Sequence, residues 1–256
     1  TFRDHFSSGS DAYRRFRPRY PEPLFAALAA AAPGRTLAWD CGTGNGQAAV
    51  ALAKHFAHVM ATDASRAQLA VAETHPRVQY RAATAEASGL DVSTVDLVTV
   101  AQALHWFDLD AFYAEVRRVV RRDGVLAAWS YGLMKIDPSV DAVVRDFYTV
   151  RLGAYWPAER RYVDEGYRTI PFPFPELALP PLTLEATLTL EQLAGYVSTW
   201  SAVHRYVKER GESPVPELVH ALRPWWGGEA RQVRWPLAVR AGRVSAAAPY
   251  VSQASS

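Results

Sequence analysis

The stretch LAWDCGTGNGQ, residues 37–47, narrows the folds open to this chain more than any other feature. An apolar run ends in Asp40, Gly42, Gly44 and Gly46 follow, and an alanine-rich helical pattern begins at Gln47. A strand turning through such glycines into a helix bares main-chain N–H groups at the carboxyl edge of a sheet, where open α/β folds bind ligands. The surrounding sequence keeps that rhythm. After PEPLFAALAAAA, stopped by Pro33-Gly34, extended and helical signals alternate through TLAWD, GQAAVALAKHF, HVMATD, SRAQLAVAETH, RVQYRA and VDLVTVAQA. The helix DLDAFYAEVRRVVRR follows, with Asp108 as its cap and Leu109, Phe112, Val116, Val119 and Val120 on one face. An Asp123-Gly124 turn then leads into the strand VLAAWS. Alternation of this kind predicts a parallel sheet covered on both faces.

Past Tyr131 the rhythm breaks. A helical pattern, PSVDAVVRDFYTVRLGAYW, runs into the proline-rich IPFPFPELALPPL, which suits an insertion over the sheet's edge rather than a central strand. The alternation of Leu182, Leu184, Ala186, Leu188 and Leu190 predicts a late, half-exposed strand. Thr189 and Gln192 form a capping box for a helix carrying Leu190, Leu193, Val197, Trp200 and His204 at helical spacing. RQVRWPLAVRAGRV is expected to close the sheet, at an edge because of Pro236, ahead of a loosely held tail, SAAAPYVSQASS.

With 256 residues, 49% of them hydrophobic, the chain suits one catalytic unit. Cys41 is the single cysteine, which excludes an intramolecular disulfide, and the charged opening TFRDHFSSGSDAYRRFRPRYP lacks a secretory apolar core, so a cytoplasmic location is expected. LFAALAAAA falls far short of the roughly 20 residues of a membrane span. The net charge of +2 conceals a cluster of Arg14, Arg15, Arg17 and Arg19, which suits an anionic small molecule; no nucleic-acid partner is expected. Neither the histidines nor the cysteine have zinc-site spacing, so no metal is expected.

Two ligand classes use a glycine turn of this kind. A dinucleotide prefers a third glycine where this chain has Gln47, and its diphosphate would be repelled by Asp40. S-adenosylmethionine carries no phosphate and has a cationic amino-acid end, which makes a carboxylate at the strand tip an asset. A hydride-transferring oxidoreductase is further disfavoured because about 35 residues precede the first strand. A binding protein that uses the cofactor without methyl transfer remains the alternative on sequence alone.

Asp40-Cys41-Gly42-Thr43-Gly44-Asn45-Gly46 resembles in full the motif of the class I S-adenosylmethionine-dependent methyltransferases. AQALHWF at 101–107 and the match of Tyr13, Arg17, Pro18, Tyr20 and Pro21 to Y-x-x-x-R-P-x-Y-P are similar to the type 11 subgroup, including trans-aconitate methyltransferase-like proteins. The likeness covers roughly residues 2–130, with a thinner extension through TWSAVHRY and VRWPLAV. It implies a Rossmann-like α/β fold, with a seven-stranded, mostly parallel sheet, helices on both faces, an N-terminal lid and a helical insertion. The corresponding division is 1–20 lid, 21–130 cofactor core, 131–180 cap, 181–245 strands and helices completing the sheet, and 246–256 tail. The fourth strand lacks the N-P-P-Y or D-P-P-Y motif of base amino-group methylation, which leaves a small-molecule acceptor.

By the same resemblance Asp40 faces the methionine end of the cofactor, and Asp63, 23 positions later, holds the ribose hydroxyls. Gly42, Gly44, Asn45 and Ala64 belong to the same cofactor set. Ala85 and Glu86 in AATAEA border the adenine; Thr84 stands where many relatives carry Asp. Gln102 is a cofactor or wall contact, and Tyr20 a lid contact to the cofactor. Tyr13, Arg17 and Trp106 are assigned to the substrate. His105, leaving the fourth strand's carboxyl end, is the candidate for proton transfer or substrate binding. If an arginine of the opening cluster faces the pocket, a carboxylic acid can be methylated without a base; if His105 is a base, a hydroxyl or nitrogen acceptor is indicated.

Overall fold

Strand β1 (Leu37–Cys41) is buried along nearly its whole length, with Ala38, Trp39 and Asp40 fully enclosed, so the sheet must be covered on both faces. The structure, a computed structural model, describes residues 16–244. Tyr13, Arg14, Arg15, most of the expected lid and the tail lie outside the described residues. Helix α1 (Glu22–Ala31) precedes β1, and α2 (Gln47–Leu52), β2 (His58–Asp63), α3 (Arg66–Ala70), β3 (Val78–Ala82), β4 (Val95–Ala101), α4 (Leu109–Val119) and β5 (Val120–Tyr131) follow in alternation. An insertion holds α5 (Pro138–Asp146) and α6 (Arg160–Asp164). Then come β6 (Thr183–Leu188), α7 (Leu190–Ser198), α8 (Ser201–Arg210), α9 (Val215–Trp226) and β7 (Arg231–Arg243).

The seven strands order as β3-β2-β1-β4-β5-β7-β6. Strands β1 to β5 are parallel, while β7 runs antiparallel to both β5 and β6. This is the expected Rossmann-like, mostly parallel sheet. The expected edge position of the last strand needs correction: β7 lies inside the sheet and β6 forms the edge. Its proline is tolerated because β7 changes partners there. Residues 231–236 pair with β6 and 237–243 with β5. Leu237 N–H points to β6, donating to Leu182 O, so the missing N–H of Pro236 falls on the side where β5 pairing has just ended at Tyr131.

Other boundaries also shift for local reasons. The expected turn at Asp123-Gly124 is absorbed into β5, with Asp123 at φ 62° and a register irregularity against β4. The capping box of Thr189 and Gln192 is formed, yet the helix it starts ends at Ser198. The Thr199 hydroxyl donates to Tyr196 O at 2.6 Å, Trp200 is extended, and α8 begins anew at Ser201. Asp108 does cap α4, accepting from Ala111 N, and Phe112, Val116 and Val119 are buried beneath it.

Two apolar clusters cover the faces of the sheet: one around Trp39, Val98, Leu104, Phe112 and Leu126, the other around Leu28, Leu52, Leu97 and Trp129. A third joins Val140, Val144, Tyr148 and Leu152 of the insertion to Leu193, Tyr196, Trp200 and Leu222 of the C-terminal helices. The insertion and the helices between β6 and β7 thus share one core and form a single cap. Among the described residues no helix is long and apolar enough to cross a membrane.

The loop after β3 is anchored from α4. Glu115, 7% exposed, accepts from Ser88 N, Ser88 Oγ and Arg118. The Arg118 guanidinium leads the interactions that hold its carboxyl down at about 2. Stability from this group is full above its ordinary range near 4.5 and is lost as pH falls toward 2. Glu115→Ala leaves Ser88 N–H buried without its acceptor and is expected to lower unfolding stability by about 2 kcal/mol in urea titrations at pH 7. An unchanged midpoint would show that water replaces the carboxylate.

Candidate active site

The turn after β1 is held by a fully enclosed carboxylate. Asp40 is 0% exposed; its Oδ2 accepts from Thr43 Oγ1 at 2.5 Å and its Oδ1 from Thr99 Oγ1 at 2.7 Å. One group therefore ties the glycine turn to β4. Burial, only partly offset by the two hydroxyls, raises its pKa to about 6. In this structure the Asp40 carboxylate faces these hydroxyls, beneath the turn.

Gly46 (φ 84°) precedes α2 against the ring of Tyr80, and a Cβ there would run into the tyrosine hydroxyl. That hydroxyl donates to Glu73 O at 2.5 Å. A Cβ on Gly42 would stand 2.7 Å from that of Ala103, so the turns after β1 and β4 touch. Gly44 (φ 55°) differs: the nearest atom to a Cβ built on it is Gln68 Oε1, 3.9 Å away. A left-handed backbone demands glycine there, and the space over it is open. Asp63, at the tip of β2, spans this opening, accepting from Gly44 N and Ser65 N, both at 2.8 Å. Ser65 in turn caps α3. Bare backbone under open space beside a partly exposed carboxylate, with no phosphate-binding cation called for, is a cradle that fits S-adenosylmethionine.

The other candidates line the same edge. Asn45 O accepts from Glu73 N, and Ala64 follows Asp63. Ala85 is buried, while Glu86 accepts from Asp108 N at 3.2 Å and so joins the loops after β3 and β4. Gln102 holds φ 59°, strained for a residue with a side chain, and its Nε2 donates to Tyr131 O. His105 and Trp106 lie on a 3₁₀ turn, Leu104–Trp106, with ring centroids 4.6 Å apart. Tyr20 packs edge-on to Trp129 at 5.4 Å. Arg17 belongs to the cap: it donates to Thr199 Oγ1 and Tyr131 Oη and lies over the Tyr196 ring. Pro18 O accepts from Gln47 Nε2, so residues 17 and 18 bridge the cap and the glycine turn.

Sequence reasoning missed Thr43, Thr99, Tyr80, Arg160 and Tyr167. A threonine three residues past an acid, or on the adjacent strand, carries no motif; pairing across β1 and β4 alone makes Thr99 a partner of Asp40. Gly166-Tyr167 had a local signal, a glycine inside a polar turn, but nothing in the sequence pointed it at His105. Burial first, and then the charge of Arg160, push the His105 imidazole down to about 3.

A methyltransferase-domain family profile matches residues 39–128. A Dictyostelium discoideum protein named as a methyltransferase is 38% identical over 225 residues, 86% of each chain. The chain belongs to the class I S-adenosylmethionine-dependent methyltransferases. S-adenosylmethionine is accordingly its cofactor. The structure of an Anaeromyxobacter dehalogenans protein named as a type II methyltransferase is similar at 50% identity and a TM-score of 0.85, covering 90% of this chain and 99% of that one. A Saccharomyces cerevisiae protein named as an S-adenosylmethionine-dependent methyltransferase is 32% identical over 128 residues, 46% of this chain and 44% of that one.

For this methyltransferase the buried Asp40 has a measurable cost. A carboxyl whose folded-state pKa lies above its ordinary 3.8 carries a stability cost that grows as pH rises from about 3.8 to about 6 and is full above that. The displacement corresponds to about 3 kcal/mol. Asp40→Asn is therefore expected to melt higher than the parent chain at pH 7.5 without cofactor, the difference closing near pH 4, in thermal scans at matched ionic strength. An asparagine variant less stable at pH 7.5 would mean that the carboxylate's hydrogen bonds outweigh its burial.

Proposed function

We propose that this methyltransferase moves a methyl group directly to an oxygen of a small-molecule acceptor, a carboxylate foremost. When bound, S-adenosylmethionine supplies a methyl on a sulfonium that is already a good leaving group. The chain's own task is alignment and exclusion of water, an orientation effect worth roughly 7 to 11 kcal/mol. Asp63 and the turn at Gly44 hold the nucleoside side of the cofactor, Ala64, Ala85 and Glu86 border its base, and Asp40 shapes the turn from below. Arg17, with Pro18 and Tyr20, straps the cap across the carboxyl edge. Trp106 and His105 form the acceptor's wall, and the cap of α5 to α9 closes over it.

The observation that carries the carboxylate reading is the electrostatics at His105. An imidazole depressed to about 3 is too weak a base to take a proton from an alcohol or amine near neutral pH. The Arg160 charge that helps to disfavour imidazolium favours an anionic acceptor, which attacks as it stands. The likeness of AQALHWF to trans-aconitate methyltransferase-like proteins supports the same class.

Calorimetric titration with S-adenosylmethionine and S-adenosylhomocysteine comes first. Asp63→Ala is expected to weaken binding by roughly tenfold or more, the scale of a charged hydrogen bond. Release of S-adenosylhomocysteine is then followed with small carboxylic acids and with alcohols and amines of the same skeletons. Turnover of the acids, level between about pH 7.5 and 9, above the titration of Asp40, is expected from acceptors and a histidine that keep their charge states across that range. Turnover of alcohols or amines alone, rising with pH, would refute the carboxylate reading and leave the cofactor site standing.

A further inference from the structure

The turn after β4 and the insertion meet at a polar contact: His105 Nδ1 lies 2.9 Å from the Tyr167 hydroxyl. Tyr167 is 0% exposed, and both it and Gly166 hold φ at 60°. A left-handed backbone is unfavourable for a bulky L-residue and persists where surrounding structure enforces it. Here β7 enforces it. Arg240 Nη1 donates to the main-chain oxygens of Tyr167 at 3.1 Å and Ile170 at 2.6 Å, and its Nη2 pairs with Glu176 at 2.5 Å. A Cβ on Gly166 would approach that of Ala238 to 2.9 Å, so the loop sits directly on the strand. The outcome is one tyrosine hydroxyl held against one imidazole.

A hydroxyl beside a ring nitrogen can donate or accept, and the direction sets the tautomer. Burial pushes the Tyr167 phenol well up, so its proton stays on. Among the described residues His105 Nδ1 is the one hydrogen-bond partner of this hydroxyl, so donating there satisfies the buried O–H, whereas accepting from a ring N–H would leave that proton without a partner. We infer that Tyr167 is a positioning residue that donates to His105 Nδ1, holds the ring as the Nε2–H tautomer, and so makes His105 a hydrogen-bond donor to the acceptor's oxygen. His105 stays neutral, since Arg160 is the charged group acting on it and Tyr167 the protonated hydroxyl at its Nδ1. A donor steadies a carboxylate in line with the methyl and removes no proton. Only this last step rests on the anionic acceptor of the proposed function; the Tyr167 lock stands on the contact itself.

The test is ¹⁵N NMR of histidine-labelled chain, with and without S-adenosylhomocysteine, the His105 signals being assigned with His105→Gln. The expected spectrum has an unprotonated Nδ1 and a protonated Nε2, with no titration between about pH 5 and 9. Acetate added at constant ionic strength to the S-adenosylhomocysteine complex shifts the Nε2–H signal. Tyr167→Phe, which keeps the ring and removes the hydroxyl, mixes the tautomers and leaves S-adenosylhomocysteine affinity unchanged. A protonated Nδ1, a midpoint near the ordinary 6.5, or a Tyr167→Phe spectrum identical to the parent's would overturn the lock. A still Nε2–H signal in acetate would overturn the donor role. If the variant fails to fold, the parent spectrum alone decides the tautomer. Because that spectrum is also read without cofactor, failure of cofactor binding remains a separate result.

Discussion

The catalytic edge of this protein depends on a carboxylate that never reaches solvent. Asp40 accepts one hydroxyl from the glycine turn and one from the neighbouring strand, so the turn cannot move without breaking a charged hydrogen bond inside the sheet. Everything above it inherits that position. Gly42 rests against Ala103 of the next turn, Gly44 bonds Asp63, and Asp63 bonds the residue that caps α3. Three loops, after β1, β2 and β4, are thereby held together, as a ligand spanning them requires. The arrangement stores an unfavourable burial that a neutral side chain would not carry.

A second constraint works from the other side of the site. The cap is built from two stretches far apart in sequence that share a core, and it meets the sheet through contacts of Arg17 with Tyr131 and of Tyr167 with His105. Arg160 lies at that meeting. It donates to Tyr148 Oη and pairs with Asp164 at 3.2 Å, while its charge reaches His105, Tyr167 and Tyr196. In the proposed chemistry, a histidine kept neutral beside an arginine lines the acceptor's wall without adding a titrating base. That is how these residues reconcile anion binding with the absence of proton removal in the proposed chemistry.

Some of this was legible in the residues alone. Asp40, the three glycines and Asp63 announced a strand-turn-helix unit and its ligand class, because left-handed turns and acid-tipped strands restrict residue type locally. The capping box at Thr189 and the cap at Asp108 were equally local and formed as read. The end of α7 was not legible, since a stripe of apolar residues continued through Trp200 while the break came from the Thr199 hydroxyl on Tyr196 O. Nor was the place of β7: Pro236 signals an edge until one knows that the strand changes partners at that residue.

Periodicity and the chemistry of single residues therefore determined the alternating α/β plan, the glycine turn and the acids that flank it. Tertiary structure alone decided which hydroxyls enclose Asp40, which tyrosine meets His105, and how Arg160 acts across the cap. The physical reason is range. Backbone conformation and amphipathic pattern are written within a few residues, whereas a pKa or a tautomer depends on groups that folding brings from 59 residues away for Thr99 and 62 for Tyr167.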